Sequence, residues 1–170
     1  MRTRTLFPVL LAVAVLLGAT SFARAQRFHN SYTNTVHVSS GGYNPYTGAR
    51  TSSQGVYNTQ TGGYHGVAES RNPYTGTTRV GSAGYNPYTG NEYARGAAYN
   101  PYTGGYRSAG AEQNVYTGAA RGGATGYNPF TGTAYTSGAA YNPYTGRYAG
   151  GGTAVNPYTG AISWGGSYYR

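Results

Sequence analysis

Beyond residue 25 the large side chains of this chain keep fixed places in a 14-residue period, and small residues fill the space between them. A tyrosine stands just before an asparagine at 43, 57, 85, 99, 127 and 141, and at 169 in a truncated last copy. The asparagine falls at 30, 44, 58, 72, 86, 100, 114, 128, 142 and 156, without insertion or deletion. Two residues further on the chain is aromatic again in nine of ten copies, Gln60 being the exception. Eight or nine residues rich in Gly, Ala, Ser and Thr separate one Asn-Pro-Tyr-Thr-Gly block from the next.

Each residue type in the block has a backbone reason. An Asn side chain bonds its own main chain two residues on and so starts a turn. Pro fixes φ for the first central residue of a type I turn. Gly closes the loop in a left-handed conformation, and Asn34, which replaces it in the first copy, is the residue best able to do the same. Thr, present in every copy from Thr33 to Thr159, offers a hydroxyl to the Asn side chain or to a local amide.

The block is therefore a four-residue loop joining two antiparallel strands. Glycines at 96, 110, 138 and 152 suggest a second, looser turn in each unit, which would leave strands of about four residues. The residue before each Asn should face the one six residues after it, giving the pairs Tyr57–Tyr64, Tyr99–Tyr106, Tyr141–Tyr148, Val155–Ile162 and Tyr85–Glu92. The Tyr–Tyr pairs recur every 42 residues, either as a three-hairpin unit or as the trace of a duplicated block. A lone hairpin is unstable, so the expected fold is all-β: an array of short antiparallel hairpins with a 14-residue period, solenoid-like or a meander. Partial disorder is the alternative, a Gly/Tyr-rich chain with transient turns.

Composition narrows the picture. Residues 1–25 read as a signal peptide: Arg2 and Arg4, an apolar run from Leu6 to Leu17, and Ala23-Arg24-Ala25 before the cut. The repeat region is then 26–170, with no later segment able to span a bilayer as a helix, and its expected place is extracellular, on the cell surface or in the periplasm. It contains no Leu, Met, Cys, Lys or Asp, which excludes both an aliphatic core and disulfides. Nine arginines against three glutamates leave it at +6, spread along the repeats.

Tyr-Asn-Pro-Tyr-Thr-Gly at 43–48, 85–90, 99–104 and 141–146 resembles the turn of YD/RHS repeats, where a Tyr-Asp-Pro-x-Thr-Gly loop joins strands of a large secreted β-shell. The likeness covers six residues in 14, and Asp is Asn in every copy here. Most of the repeat region is also similar to secreted bacterial proteins with tandem Tyr-Asn-Pro-x-Thr-Gly units, a group without an established activity. These resemblances imply bacterial export and a β-repeat, and transfer no catalytic or binding residue.

Catalytic chemistry finds little material. Any triad would have to combine His29, His37 or His65 with Glu69, Glu92 or Glu112, and their spacing favours none. No cofactor or metal is expected, and the Gly-rich runs lack the Lys-Ser/Thr of a phosphate loop. The loop aromatics remain: Tyr46, Tyr74, Tyr88, Tyr102, Tyr116, Phe130, Tyr144 and Tyr158 form the candidate interaction surface, expected as one row along one edge of the array. Either each ring packs on the next turn, or the row is a platform for sugar rings with Arg beside it. The expected role is a non-catalytic structural or surface-interaction protein. Its multivalent Tyr/Arg contacts would go to cell-envelope or extracellular polysaccharide, with self-association through exposed strand edges and no nucleic acid. A carbohydrate-binding module and a disordered Tyr-rich matrix protein are the alternatives.

Overall fold

The computed structural model describes residues 22–169, with side chains from 26 to 168. Eleven strands and no helix make up this part of the chain: β1 (Phe22–Asn30), β2 (Thr35–Tyr43), β3 (Arg50–Asn58), β4 (Tyr64–Arg71), β5 (Thr78–Asn86), β6 (Asn91–Tyr99), β7 (Tyr106–Asn114), β8 (Ala120–Asn128), β9 (Thr133–Asn142), β10 (Arg147–Asn156) and β11 (Ala161–Tyr169). They lie in one antiparallel sheet whose spatial order is the chain order, a meander of successive hairpins. Of the expected leader, residues 1–21 lie outside the described residues, and 22–25 form the outer half of β1.

The turns follow the chemistry of the repeated block. In all ten, the Asn Oδ1 accepts the backbone N–H two residues on, at 2.9–3.0 Å. In eight, the Thr hydroxyl accepts the N–H two residues beyond itself, at 3.2–3.4 Å, so it serves a local amide. The closing Gly has φ between 61° and 79° in nine turns, and Asn34 takes the same region at 53°. Bonds such as Asn100 N–H to Gly105 O (2.9 Å) and Gly104 N–H to Asn100 O (2.8 Å) leave a loop of four residues. All five expected cross-strand pairs are present, Tyr57–Tyr64, Tyr99–Tyr106, Tyr141–Tyr148, Val155–Ile162 and Tyr85–Glu92.

The second turn is absent, and this corrects the expected strand length. Gly96, Gly110, Gly138 and Gly152 lie inside strands, and each 14-residue unit is one strand of eight to ten residues plus one turn. Several glycines meet across the ladder, as in Gly110–Gly123, Gly123–Gly138 and Gly138–Gly151. Their use is close approach rather than bending: a β-carbon on Gly123 would lie 2.9 Å from the Ser137 carbonyl oxygen. An extended strand pairs its backbone along its whole length for each loop closed, whereas two short strands would close twice as many loops for the same pairing.

The register fixes which side each residue faces. Tyr57, Tyr64, Tyr85 and Glu92 oppose one another in turn across β3 to β6 and so share one side. Tyr99 lies seven residues after Glu92 on β6, an odd number, and therefore shares the other side with Tyr106 and Tyr127. Those three are the first three shifted by 42 residues, or three strands. A single 14-residue step likewise moves a repeat position to the next strand, the opposite end and the opposite face.

A strict repeat of this kind cannot write an apolar face. Accordingly, the buried apolar residues are Val36 at 1 % exposure, Ala68 at 5 % and Ala83 at 8 %. Every substantial contact between elements joins strands consecutive in the chain, so the sheet is a single layer. Among the described residues no helix is long and apolar enough to cross a membrane.

The turn carries the fold, so its parts should be measurable one at a time by chemical denaturation. Asn100→Ala should lower the unfolding free energy by about 1–3 kcal/mol, because two amides lose their acceptor. Gly104→Ala, where nothing crowds a β-carbon, should cost about 1–2 kcal/mol from its left-handed φ alone. Asn34→Gly should be neutral or slightly stabilising.

Candidate interaction surface

Because one strand separates consecutive turns, the turns alternate between the two ends of the strands. The loop aromatics therefore form two rows, which corrects the single row expected. At the first end stand Tyr32, Gln60, Tyr88, Tyr116 and Tyr144; at the second stand Tyr46, Tyr74, Tyr102, Phe130 and Tyr158. Successive members of a row are two strands apart, about 9–10 Å.

The two rows differ. Every aromatic of the second row follows a proline, and the row has no gap. The first row is broken by Gln60, and it has Ser31, Thr59 and Val115 where proline would stand. Two of these use the N–H that proline lacks: Thr59 donates to Asn34 O at 2.7 Å and Val115 to Gly90 O at 2.8 Å, tying neighbouring turns together. The prolines of the second row make no such bond, and its rings are 74–93 % exposed.

Several rings lean on the turn behind them. A β-carbon on Gly76 would sit 2.6 Å from the Tyr102 ring, and Gly90 and Gly132 lie equally hard against Tyr116 and Tyr158. The Tyr116 hydroxyl donates to the Pro87 carbonyl. The left-handed glycine thus has two uses, its φ and the flat bed it gives the next ring. In the Gly104, Gly62, Gly146 and Gly160 turns a β-carbon would meet nothing.

Charge is divided between the ends as well. Arg50 and Arg71 face each other at the second end, and Arg79 and Arg107 both oppose Ala98 one residue further in. Glu69 is the one carboxylate on that side, while Glu92 and Glu112 lie toward the first end. Glu112 makes the ion pairs found among the described residues, to Arg121 at 2.8 Å and Arg95 at 3.7 Å. The four arginines of the second end take no part in them. Arg50 lies over the Tyr43 ring, 5.9 Å from its centre.

Away from the turns, two contacts reach across β5 from β4 to β6. On one face the Tyr64 hydroxyl donates to Glu92 Oε1 at 2.7 Å, with the Tyr85 ring between at 6.0 Å. On the other, His65 Nδ1 and the Tyr93 hydroxyl are 2.7 Å apart. Tyr93 crosses Gly84, whose missing side chain makes room for the ring; Tyr135 crosses Gly126 in the same way 42 residues on. Sequence reasoning missed these pairs, although the register that gives Tyr85–Glu92 also gives Gly84–Tyr93.

The residues weighed for catalysis stay apart. His65 and Glu92 are held by tyrosines on opposite faces, His37 lies 3.3 Å from the Thr35 hydroxyl, and Glu112 is held by arginines. Among the described residues no group of three His, Cys, Asp or Glu side chains comes together. Comparison with protein-family models, with curated proteins and with solved structures finds no match for the chain.

Burial, and then the bond to Glu92, push the Tyr64 phenol well above its ordinary range. The folded sheet therefore favours the protonated phenol, and this contribution is complete below the unfolded value of about 10. It falls as pH rises beyond that, because the unfolded chain then releases a proton that the folded chain keeps. An ultraviolet titration should show a late tyrosine step that Tyr64→Phe removes.

Proposed function

We propose that this is an exported, non-catalytic structural repeat protein that attaches to a cell-envelope or extracellular polysaccharide through many weak Tyr/Arg contacts. The observation that carries the reading is the second row: five Pro-aromatic turns, about 9–10 Å apart, exposed and flanked by four arginines that join no ion pair among the described residues. Rings at a constant interval along a line suit a polymer with a constant repeat, and an extended glycan chain has one. Each ring offers one face to a sugar, and each guanidinium offers planar donors to hydroxyls or carboxylates. Individually such contacts are weak; linked rigidly on one sheet they bind by avidity. Phe130 within the row indicates that the ring matters there, not the phenol hydroxyl.

Export is supported by the Arg2/Arg4, Leu6–Leu17 and Ala23-Arg24-Ala25 pattern, and a non-catalytic role by the scattered histidines and carboxylates. An acidic polysaccharide is favoured over a neutral one by the arginines of the second end.

Affinity electrophoresis through gels containing an acidic or a neutral polysaccharide tests this. The triple variant Tyr74→Ala, Tyr102→Ala, Phe130→Ala should lose about tenfold or more in affinity. Tyr88→Ala, Tyr116→Ala, Tyr144→Ala at the first end should lose less. Binding should weaken as salt rises, from loss of the Arg part. Equal losses in the two triple variants, or no retardation in any gel, would remove the second row from the function.

A further inference from the structure

Among the described residues β11 is an outer strand with an unguarded edge. Native sheets blunt their outer strands with charge, proline, bulges or a covering element. β11 reads Ala-Ile-Ser-Trp-Gly-Gly-Ser-Tyr-Tyr from 161 to 169, with no charged residue and no proline. It pairs with β10 over nine consecutive residues without a bulge, and nothing covers its outer side among the described residues. Ile162, Trp164 and Tyr168 share one face at 65 %, 83 % and 59 % exposure, and Trp164 is the only tryptophan in the chain. At the opposite edge β1 carries Arg24 and Arg27, so the two outer strands are chemically unlike.

The β11 sequence also complements itself. Turned about a two-fold axis normal to the sheet and midway between the two copies of Gly165, it meets an antiparallel copy so that Ile162 faces Tyr168, Ser163 faces Ser167 and Trp164 faces Gly166. A large ring opposite a glycine is the arrangement this chain already uses at Tyr93–Gly84 and Tyr135–Gly126. Aromatic and β-branched residues facing across the strands add to the ladder. The rival partner is β1 of another copy, continuing the internal repeat into an open fibre. That contact would set Trp164 against Arg27, and a cut after Ala25 would leave β1 only residues 26–30.

We infer that β11 is a dimerisation edge, pairing with β11 of a second copy in the register that sets Gly165 opposite its own copy across the two-fold axis and joins two sheets into one. The inference is independent of the polysaccharide reading, since it uses neither row of turn aromatics.

A cysteine test reads the register directly, because the chain has no cysteine. A β-carbon on Gly165 would meet nothing within 4 Å, so Gly165→Cys leaves the sheet undisturbed. Under mild oxidation of the exported protein, Gly165→Cys should yield a covalent dimer roughly tenfold or more faster than Ser163→Cys, whose expected neighbour is Ser167 rather than itself. Sedimentation of the unaltered protein should give twice the chain mass. Ser163→Lys with Ser167→Lys sets like charges opposite and should give a monomer; Ser163→Lys with Ser167→Glu should stay dimeric. A monomeric unaltered protein, equal cross-linking of the two cysteines, or masses that grow beyond two chains would each overturn the inference.

Discussion

The structure depends on one closed turn. Asn Oδ1 ties down the amides that follow it, proline or its substitute sets the direction, and a residue of positive φ brings the chain back after four loop residues. Both the loop and the period are even numbers, and the geometry of the sheet follows from that parity. Every unit arrives on the next strand reversed and facing the other way. Fourteen residues are thus enough to define a strand and a turn but unable to define an inside.

The scarcity of buried apolar side chains among the described residues then follows from the repeat rather than from poor composition alone. An aliphatic side chain placed at one repeat position would appear on both faces, half of the copies always in solvent. The chain instead uses residues that work on an open surface. Tyrosines lie along the ladder and end in hydroxyls that water or a partner can satisfy, and glycines let backbones and rings approach closely. Cohesion is local to each pair of neighbouring strands, as in solenoids, where stability adds up through contacts between adjacent units. Departures from strict repetition supply contacts of longer reach, such as His65 and Glu92 meeting tyrosines across an intervening strand.

The same alternation shapes the surface. Splitting the turns between two ends gives the chain two rows, and they differ. The first has other residues in place of proline in three turns and backbone turn-to-turn hydrogen bonds at two of them; the second has proline and an aromatic ring in every turn. One end thus holds the sheet together more than the other, and the other is left with the more regular exposed chemistry.

The turn and its consequences were legible in the sequence, because they are decided within a few residues: Asn, Pro and Gly fix φ and hydrogen bonding locally, and Asn34 marked the left-handed position. The facing pairs followed, since a loop of known length sets the register of the hairpin it closes. The glycines at 96, 110, 138 and 152 were misread, for a glycine that bends a chain and one that admits a neighbouring backbone look alike until the neighbour is present. The two aromatic rows and the alternation of faces lay beyond the sequence for the same reason. Each depends on how many strands a unit contributes, and that is decided by the closure of loops against the length of backbone paired, a sum over the whole sheet.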